Sequence, residues 1–423
     1  MPSPAQLAWQ REELAIFLHF GVNTFTDREW GDGREDPAIF NPAALDAGQW
    51  ARAARDGGAR AVILTAKHHD GFCLWPTKTT RHSVASSPWR DGAGDLVREY
   101  SDAARAVGLR VGLYCSPWDR NASVYGDTPR YNGLYIAQLT ELLSNYGEIA
   151  EVWFDGANGE GPNGKKQVYD WPRIWGTVRR LQPNAVIFSD AGPDVRWIGN
   201  ERGSAGDPNW STVDPSIVTA PGVEGPEIGR SLQHGDRDGS VWRPGETDVS
   251  IRPGWFHHAA EDARVKSVDD LMGIWFSSVG RNSKLLLNVP PARDGLLAEA
   301  DVKRLREFRA ARDALFGREV TGLSWTWRAT AGRQLEGVAE LPRATAVGVV
   351  RLGELIERGQ QVARYRVSGD RGDGTWRELS RGETIGYCKL DRVAGPAGIT
   401  RVRVTIEEFL DAPTGLRVRL YEG

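Results

Sequence analysis

Apolar positions in the first three hundred residues follow two alternating rhythms. Short continuous apolar runs over 15–21, 61–66, 109–114, 149–154, 185–188 and 283–289 read as buried strands. Between them, apolar residues recur at helical spacing over 6–13, 41–55, 95–107, 135–146, 171–181, 267–278 and 298–315. Returns from helix to strand are short. This βα alternation predicts a parallel sheet, and repeated this often it predicts a (β/α)8-type, TIM-like barrel. Residues 203–250 show no strong helical period and carry Pro, Gly, Trp210 and Trp242, so they read as long loops beside a site. From Glu319 the period changes to two. Alternating runs over 338–341, 346–352, 361–367, 399–406 and 415–421, separated by Gly-rich turns such as 369–374, predict an all-β sandwich. The expected division is a barrel of residues 1–318 followed by a C-terminal β-sandwich domain of residues 319–423.

The polar residues that could do chemistry fall where strands end. His19 closes the first run and His68 and His69 follow the second. Tyr114 ends the third, Asp155 the fourth, and Asp190 follows the fifth. The C-terminal lip of a parallel barrel is where such enzymes keep their sites. Asp155 ends Glu151-Val-Trp-Phe-Asp-Gly156 and a Gly/Asn-rich segment follows it. A catalytic carboxylate and a loop-capping one both fit that position. The polar loop after the first strand sets Glu29 beside Trp30, a hydrogen-bonding group next to a stacking surface. The pair His68-His69 has three readings: donors to a polyol, structure, or metal ligands. Successive residues on a strand point opposite ways, which suits two separate donors better than one ion. No HExxH-type spacing supplies a third ligand, so no metal is expected.

Composition narrows the picture. At 423 residues and 40% hydrophobic content the chain supports a large core and a second domain. A formal net charge of -3 argues against nucleic-acid binding. Three widely spaced cysteines make no disulfide framework and no compact metal site. No apolar run approaches a membrane span. The N-terminus lacks a basic and then apolar leader, so the expected location is the cytoplasm, or outside the cell after a leader has been removed. The oligomeric state stays open. Seventeen tryptophans, most of them before residue 260, suit a cleft for sugars, whose apolar faces stack on indoles. All seven histidines lie in the first 258 residues, which places the chemistry upstream of the sandwich.

A sugar-cleaving site that works with retention needs a nucleophilic carboxylate and a second carboxyl that protonates the leaving group. Asp155 fits the first role. For the second, Asp190, Asp194, Glu201, Glu224, Glu227 and Glu246 all lie in suitable segments, and spacing does not choose among them.

The motifs His19-Phe-Gly, Asn23-Thr-Phe-Thr with Glu29-Trp30-Gly, Lys67-His-His-Asp-Gly-Phe72, Gly112-Leu-Tyr-Cys-Ser116 and Glu151-Val-Trp-Phe-Asp-Gly156 run in one order along the chain. Together they resemble the α-L-fucosidases of glycoside hydrolase family 29. Residues 199–201, 250–256, 356–362 and 382–389 are most similar to the branch of that family acting on α-1,3/1,4-linked (Lewis-type) fucose of branched oligosaccharides. The resemblance implies an exo-acting, retaining α-L-fucosidase with no metal or organic cofactor, whose partner is a fucosylated glycan. It implies Asp155 as nucleophile and Glu201 as acid/base. It implies His19, His68 and His69 as donors to the fucose hydroxyls, with Glu29, Trp30, Tyr114 and Trp153 around the sugar. Arg196 and Trp255 are expected in the same pocket. Two other readings remain: an inactive glycan-binding protein on this fold, and an exo-glycosidase for a sugar of related stereochemistry.

Overall fold

The computed structural model describes residues 1–330, 334–393 and 398–423. Eight strands close into a barrel: β1 (Leu14–Leu18), β2 (Ala61–Lys67), β3 (Arg110–Cys115), β4 (Glu151–Trp153), β5 (Val186–Ser189), β6 (Val195–Trp197), β7 (Gly245–Ser250) and β8 (Ser283–Asn288). Neighbours follow chain order, β8 closes on β1, and every pairing is parallel. The helices start where their sequences tell them to. Asp46, Asp95 and Asp170 each accept a hydrogen bond from the third backbone N–H of the helix they precede. Ser267 and Asp270 make a reciprocal capping box at Val268–Ser277. These contacts satisfy N–H groups that no helical carbonyl can reach.

Alternation along the strands sorts two cores. Leu14, Ile16, Leu18, Val62, Leu64, Val111, Leu113, Val152 and Ile187 face outward under the helices. Ala15, Phe17, Ile63, Tyr114, Trp153, Phe188 and Leu286 fill the barrel interior. Trp153 lies flat on Phe188 at 4.1 Å between ring centres, a pair worth roughly 0.5–1.5 kcal/mol beyond its buried area. Beneath this layer, at the N-terminal end of the barrel, Lys284 Nζ meets Glu12 at 2.8 Å, Glu151 at 2.9 Å and Glu246 at 3.7 Å.

The barrel departs from the expected repeat at two strands. β5 and β6 are parallel neighbours joined only by residues 190–194, with no helix between them. The register explains this: Phe188 pairs with Val195, so β6 starts beside the end of β5 and the chain has no strand length to run back. In the second, residues 203–250 are not all loop. They contain the helix Pro226–His234, a small antiparallel strand pair that brackets it (Thr212–Val213 with Val241–Trp242) and β7 itself.

The C-terminal strands form two antiparallel sheets. One has five strands, in the order Thr326–Thr330, Gln334–Thr345, Ile399–Phe409, Val362–Asp370, Arg377–Gly382. The other has three, Lys389–Arg392, Val347–Gly353, Arg417–Glu422. Val350, Leu352, Tyr365, Val367, Val404 and Ile406 share one buried core between them. Polar contacts join this domain to the barrel's flank. Gln360 Oε1 accepts from Ser211 N at 2.9 Å, and Lys389 Nζ binds Asp207 at 2.6 Å.

Candidate active site

Asp155 follows β4 in phase with Glu151 and Trp153, so its carboxylate faces inward at the C-terminal lip. Its Oδ2 accepts from the Tyr114 hydroxyl at 3.1 Å, and its Oδ1 accepts from Ala157 N at 2.7 Å. His69 Nε2 stands 3.8 Å from Oδ2. A cavity of about 350 Å³ opens here, lined by His19, Glu29, Trp30, His68, His69, Tyr114, Trp153, Asp155, Glu201 and Trp255, with Phe17, Ala157 and Asp248. Ten of the eleven expected site residues therefore meet in one place.

Arg196 does not. It sits between Val195 and Trp197 on β6, and alternation turns it away from the interior. Its guanidinium donates to the carbonyls of Leu232 and Arg243 and to Asn209 Oδ1 at 2.6 Å. It therefore ties loops together outside the cavity, and Trp197 occupies the inward position instead.

The two adjacent histidines also differ from expectation. They do not point opposite ways: their rings lie 4.2 Å apart and line the same cavity. A register shift between Thr65 and Lys67 turns Lys67 outward to Asp119 and Gln138, and β2 then ends. His68 and His69 belong to the turn closed by Gly71 N donating to His68 O at 3.0 Å, where strand alternation no longer applies. Gly71 has φ +81°, and a Cβ there would fall 2.4 Å from Asp119 Oδ1. Each ring nevertheless keeps its own partner, Asn23 for His68 and Ser116 for His69. Among the described residues, no group of three or more His, Cys, Asp or Glu is placed to hold a metal ion.

The partners set each imidazole's state. Asn288 spends both amide hydrogens on Ser250 Oγ (2.9 Å) and Trp255 O (2.8 Å). Its oxygen is therefore the acceptor for His19 Nδ1–H at 2.8 Å, which leaves His19 Nε2 as an acceptor. Ser116 donates to Trp118 O and so accepts from His69 Nδ1, with the same result for His69 Nε2. Asn23 donates to His68 Nδ1, so His68 Nε2 carries a proton to give. Burial drops His19 to about 3 and pushes His68 well below the usual histidine range, helped in each case by a neighbouring histidine. The pocket thus presents neutral imidazoles with mixed donor and acceptor faces, a pattern that matches sugar hydroxyls.

Glu201 lies on the loop after β6, where its Oε2 accepts from the Trp255 indole N–H at 3.1 Å. The residue is exposed at the cavity mouth, and its pKa is raised first by partial desolvation of the carboxyl and then by the negative charges of Asp155 and Glu29; the Trp255 hydrogen bond works the other way. Asp248, on β7, is the carboxyl that sequence reasoning passed over. Burial, then the charges of Glu201 and Asp155, push it well above the ordinary range, against a hydrogen bond from the Trp197 indole at 2.8 Å. The period-two inward set Glu246, Asp248, Ser250 is the signal that pointed to it. The remaining candidates separate clearly. Asp194 Oδ2 accepts from Ile187 N at 2.7 Å and the carboxylate pairs with Arg179. Glu227 lies in the first turn of Pro226–His234, on the exposed side. Glu246 is fully buried at the other end of the barrel, where its Oε1 accepts from the Trp153 indole at 3.0 Å.

Asp190 and Glu224 line a second, larger cavity of about 720 Å³, which shares Trp153, Asp155, Glu201 and Asp248 with the first. Asp190 is held up at about 6 by burial, with Asp155 adding to the effect and the Gly222 N–H opposing it.

Residues 3–310 match the family model described as alpha-L-fucosidase. The chain is 42% identical to alpha-L-fucosidase 1 of Arabidopsis thaliana, covering all of this chain and 87% of that one. Among solved structures, a glycoside hydrolase 29 family member from an unknown rumen bacterium superposes with a TM-score of 0.91 at 38% identity, over the whole of this chain and 77% of that one. A Ruminococcus gnavus fucosidase of the same family, in complex with fucose, gives 0.89 at 31% identity, over all of this chain and 95% of that one.

Proposed function

This chain belongs to the α-L-fucosidases of glycoside hydrolase family 29, and from that premise we propose that it releases L-fucose by double displacement with retention from α-1,3/1,4-fucosylated, Lewis-type oligosaccharides. The observation that carries the mechanism is that Asp155 and Glu201 line one cavity and the charge of the first raises the pKa of the second. Asp155 attacks the anomeric carbon. Glu201, whose hold on a proton its surroundings strengthen, gives that proton to the departing oxygen and then takes one from the water that releases the β-fucosyl-enzyme. Tyr114 orients Asp155 through the hydrogen bond to Oδ2. His19, His68, His69 and Glu29 read the hydroxyls, and Trp30, 57% exposed at the rim, meets the sugar beyond. Phe17, packed at 5.3 Å from Trp153 and 6.4 Å from Trp255, supplies the apolar floor against which a 6-deoxy methyl fits and a 6-hydroxyl does not.

The linkage preference rests on the larger cavity. It starts at the carboxylates and offers room and polar groups (Lys166, Asp190, Glu224) for a branched leaving group. Every side chain lining the two cavities comes from the first 255 residues. That supports reading residues 1–318 as the catalytic unit and the sandwich of 319–423 as support for its flank. No helix among the described residues is long and apolar enough to cross a membrane.

The test compares fucose release from a Lewis-type branched trisaccharide, a linear α-1,2-fucosyllactose and an aryl α-L-fucoside, with Asp155→Ala as control. Release from the branched sugar with α-L-fucose appearing first by NMR supports the linkage and retention, and β-L-fucose appearing first removes retention. Preference for the α-1,2 or aryl substrate removes the linkage assignment and leaves the fucosidase. Normal turnover by Asp155→Ala removes the nucleophile.

A further inference from the structure

The sequence carries a second histidine pair, His257-His258, that the mechanism above does not use. His258 Nδ1 lies 2.6 Å from Asp27 Oδ1, and its Nε2 lies 2.7 Å from Glu29 Oε1. Carboxylate oxygens accept, so both ring nitrogens must donate, and a neutral imidazole has one N–H only. The geometry requires an imidazolium between two carboxylates. Glu29 has two further partners: Oε1 also accepts from Phe256 N at 3.1 Å, and Oε2 accepts from Trp255 N at 2.8 Å, which leaves Oε2 a lone pair for the cavity. Trp255 in turn holds Glu201 through its indole. The packing is close enough that a Cβ on Gly254 would fall 2.6 Å from Glu29 Oε1 and 2.9 Å from His258 Cδ2.

We infer that His258 is a positioning residue for the acid/base: it joins the loop after β1 to the loop after β7, and through Glu29 and the Trp255 backbone it fixes the indole that holds Glu201. This rests on the reading of Glu201 as acid/base. The base of the 251–264 segment is anchored independently, since Arg252 binds Asp301 at 2.8 Å and Asp262 at 2.8 Å, while Asn288 Nδ2 donates to Trp255 O. The clamp therefore governs the tip of the loop, where the indole is, and not its fold. The charged groups around His258 are Asp27 and Glu29 on the first loop and His257, Glu261 and Asp262 on its own. Burial works against its charge, but the hydrogen bonds and charges of Asp27 and Glu29 outweigh that and raise its pKa. The clamp is therefore closed below the ordinary histidine pKa of about 6.5 and opens as pH rises through the raised value.

The test measures kcat/KM on a series of α-L-fucosides from good to poor leaving groups, for wild type, His258→Gln, His258→Arg, Asp27→Asn and Glu201→Gln, with ring titration of His258 by NMR. Asp27 is exposed at the end of Val22–Thr26 with φ 56°, which Asn tolerates, so Asp27→Asn leaves the fold in place. The expectation for His258→Gln is a loss of roughly tenfold to 100-fold on the poorest leaving group, the range for a displaced catalytic group, with a few-fold change at most on the best. His258→Arg keeps the cation and recovers part of the loss, and Asp27→Asn lowers the His258 pKa. An equal loss on every leaving group, no loss at all, or a His258 that titrates at the ordinary value overturns the inference. If Glu201→Gln itself shows no dependence on leaving group, the acid/base reading fails and this inference falls with it; dependence in Glu201→Gln without any in His258→Gln removes the clamp alone.

Discussion

Both ends of this barrel carry a cluster of carboxyl groups, and the two clusters do opposite things. At the N-terminal end, Glu12, Glu151 and Glu246 surround Lys284, with Arg110 also on Glu12 and the Trp9 indole on Glu151 Oε2 at 2.9 Å. At the C-terminal end, Asp155, Glu201 and Asp248 share the smaller cavity, whose lining has no lysine or arginine; Lys166 lines the larger one. Burial opposes the charge of Lys284, but its three carboxylate neighbours outweigh that and raise its pKa. Lys284 is thereby held in its charged form. In the upper cluster the charge of Asp155 raises Glu201, and the charges of Glu201 and Asp155 raise Asp248, with no cation in the smaller cavity to oppose them. A matched cation makes a carboxylate cluster part of the fold, and the lack of one makes it a proton-transfer site.

The largest effect that tests this contrast is at Asp155. Asp155→Asn is expected to cut turnover roughly 10⁴-fold or more while the melting temperature stays within a degree or two of wild type. Removing its charge also lowers the Glu201 pKa, which ¹³C NMR of the glutamate carboxyl reads directly. A melting temperature that collapsed in this variant would make the upper cluster structural too.

Next in size is Lys284→Met. Breaking a buried ionic cluster by deleting its only lysine leaves carboxylates uncompensated and costs about 3–5 kcal/mol of stability. Denaturant unfolding measures the loss. The fraction that remains folded is expected to keep its kcat, because Lys284 lines neither cavity. Full stability with lost turnover would reverse the assignment of the two ends.

The third test is the alkaline limb of kcat/KM, which reports the acid of the free enzyme. The proposed acid/base role requires a protonated Glu201 in the first step, and partial desolvation with the charges of Asp155 and Glu29 raises its pKa. The limb is therefore expected above the ordinary glutamate value of about 4.3, with activity falling tenfold per unit beyond it. A limb at the ordinary value would mean that the cavity does not tune Glu201.

The same contrast explains what could be read from the sequence. Six of eight barrel strands are continuous apolar runs and were legible as such. β6 was hidden by its three-residue length and the missing crossover helix. β7 was hidden because its inward positions are polar: Glu246 serves the lower cluster, and Asp248 and Ser250 serve the site. Asp155 was legible because it ends a strand, whereas Glu201 came only from resemblance, since nothing local in a Gly-rich loop marks it. Arg196 was misplaced because a charged residue beside a tryptophan looks the same in sequence on either face of a three-residue strand. The edge strand Arg377–Gly382 of the sandwich, largely exposed, gives no apolar alternation to find.

The smallest expected effect discriminates most sharply between the ends, because it falls on a strand that serves both. Glu246 and Asp248 stand two residues apart on β7 with side chains on the same face, one at each level of the barrel. Burial, then the charge of Glu151, push Glu246 well above the ordinary range, with Lys284 pulling the other way. Burial thus favours a proton on Glu246, against the pull of Lys284. Glu246→Gln puts an amide of nearly the same shape in place of the carboxyl and keeps the acceptor for the Trp153 indole, which lines both cavities. The expected cost is below about 1 kcal/mol in stability and less than a few-fold in kcat/KM. Glu246 was also a sequence-level candidate for the acid/base. A loss of 10²-fold or more on poor leaving groups, with stability intact, would return it to that role and would place chemistry at the end of the barrel that Lys284 otherwise closes.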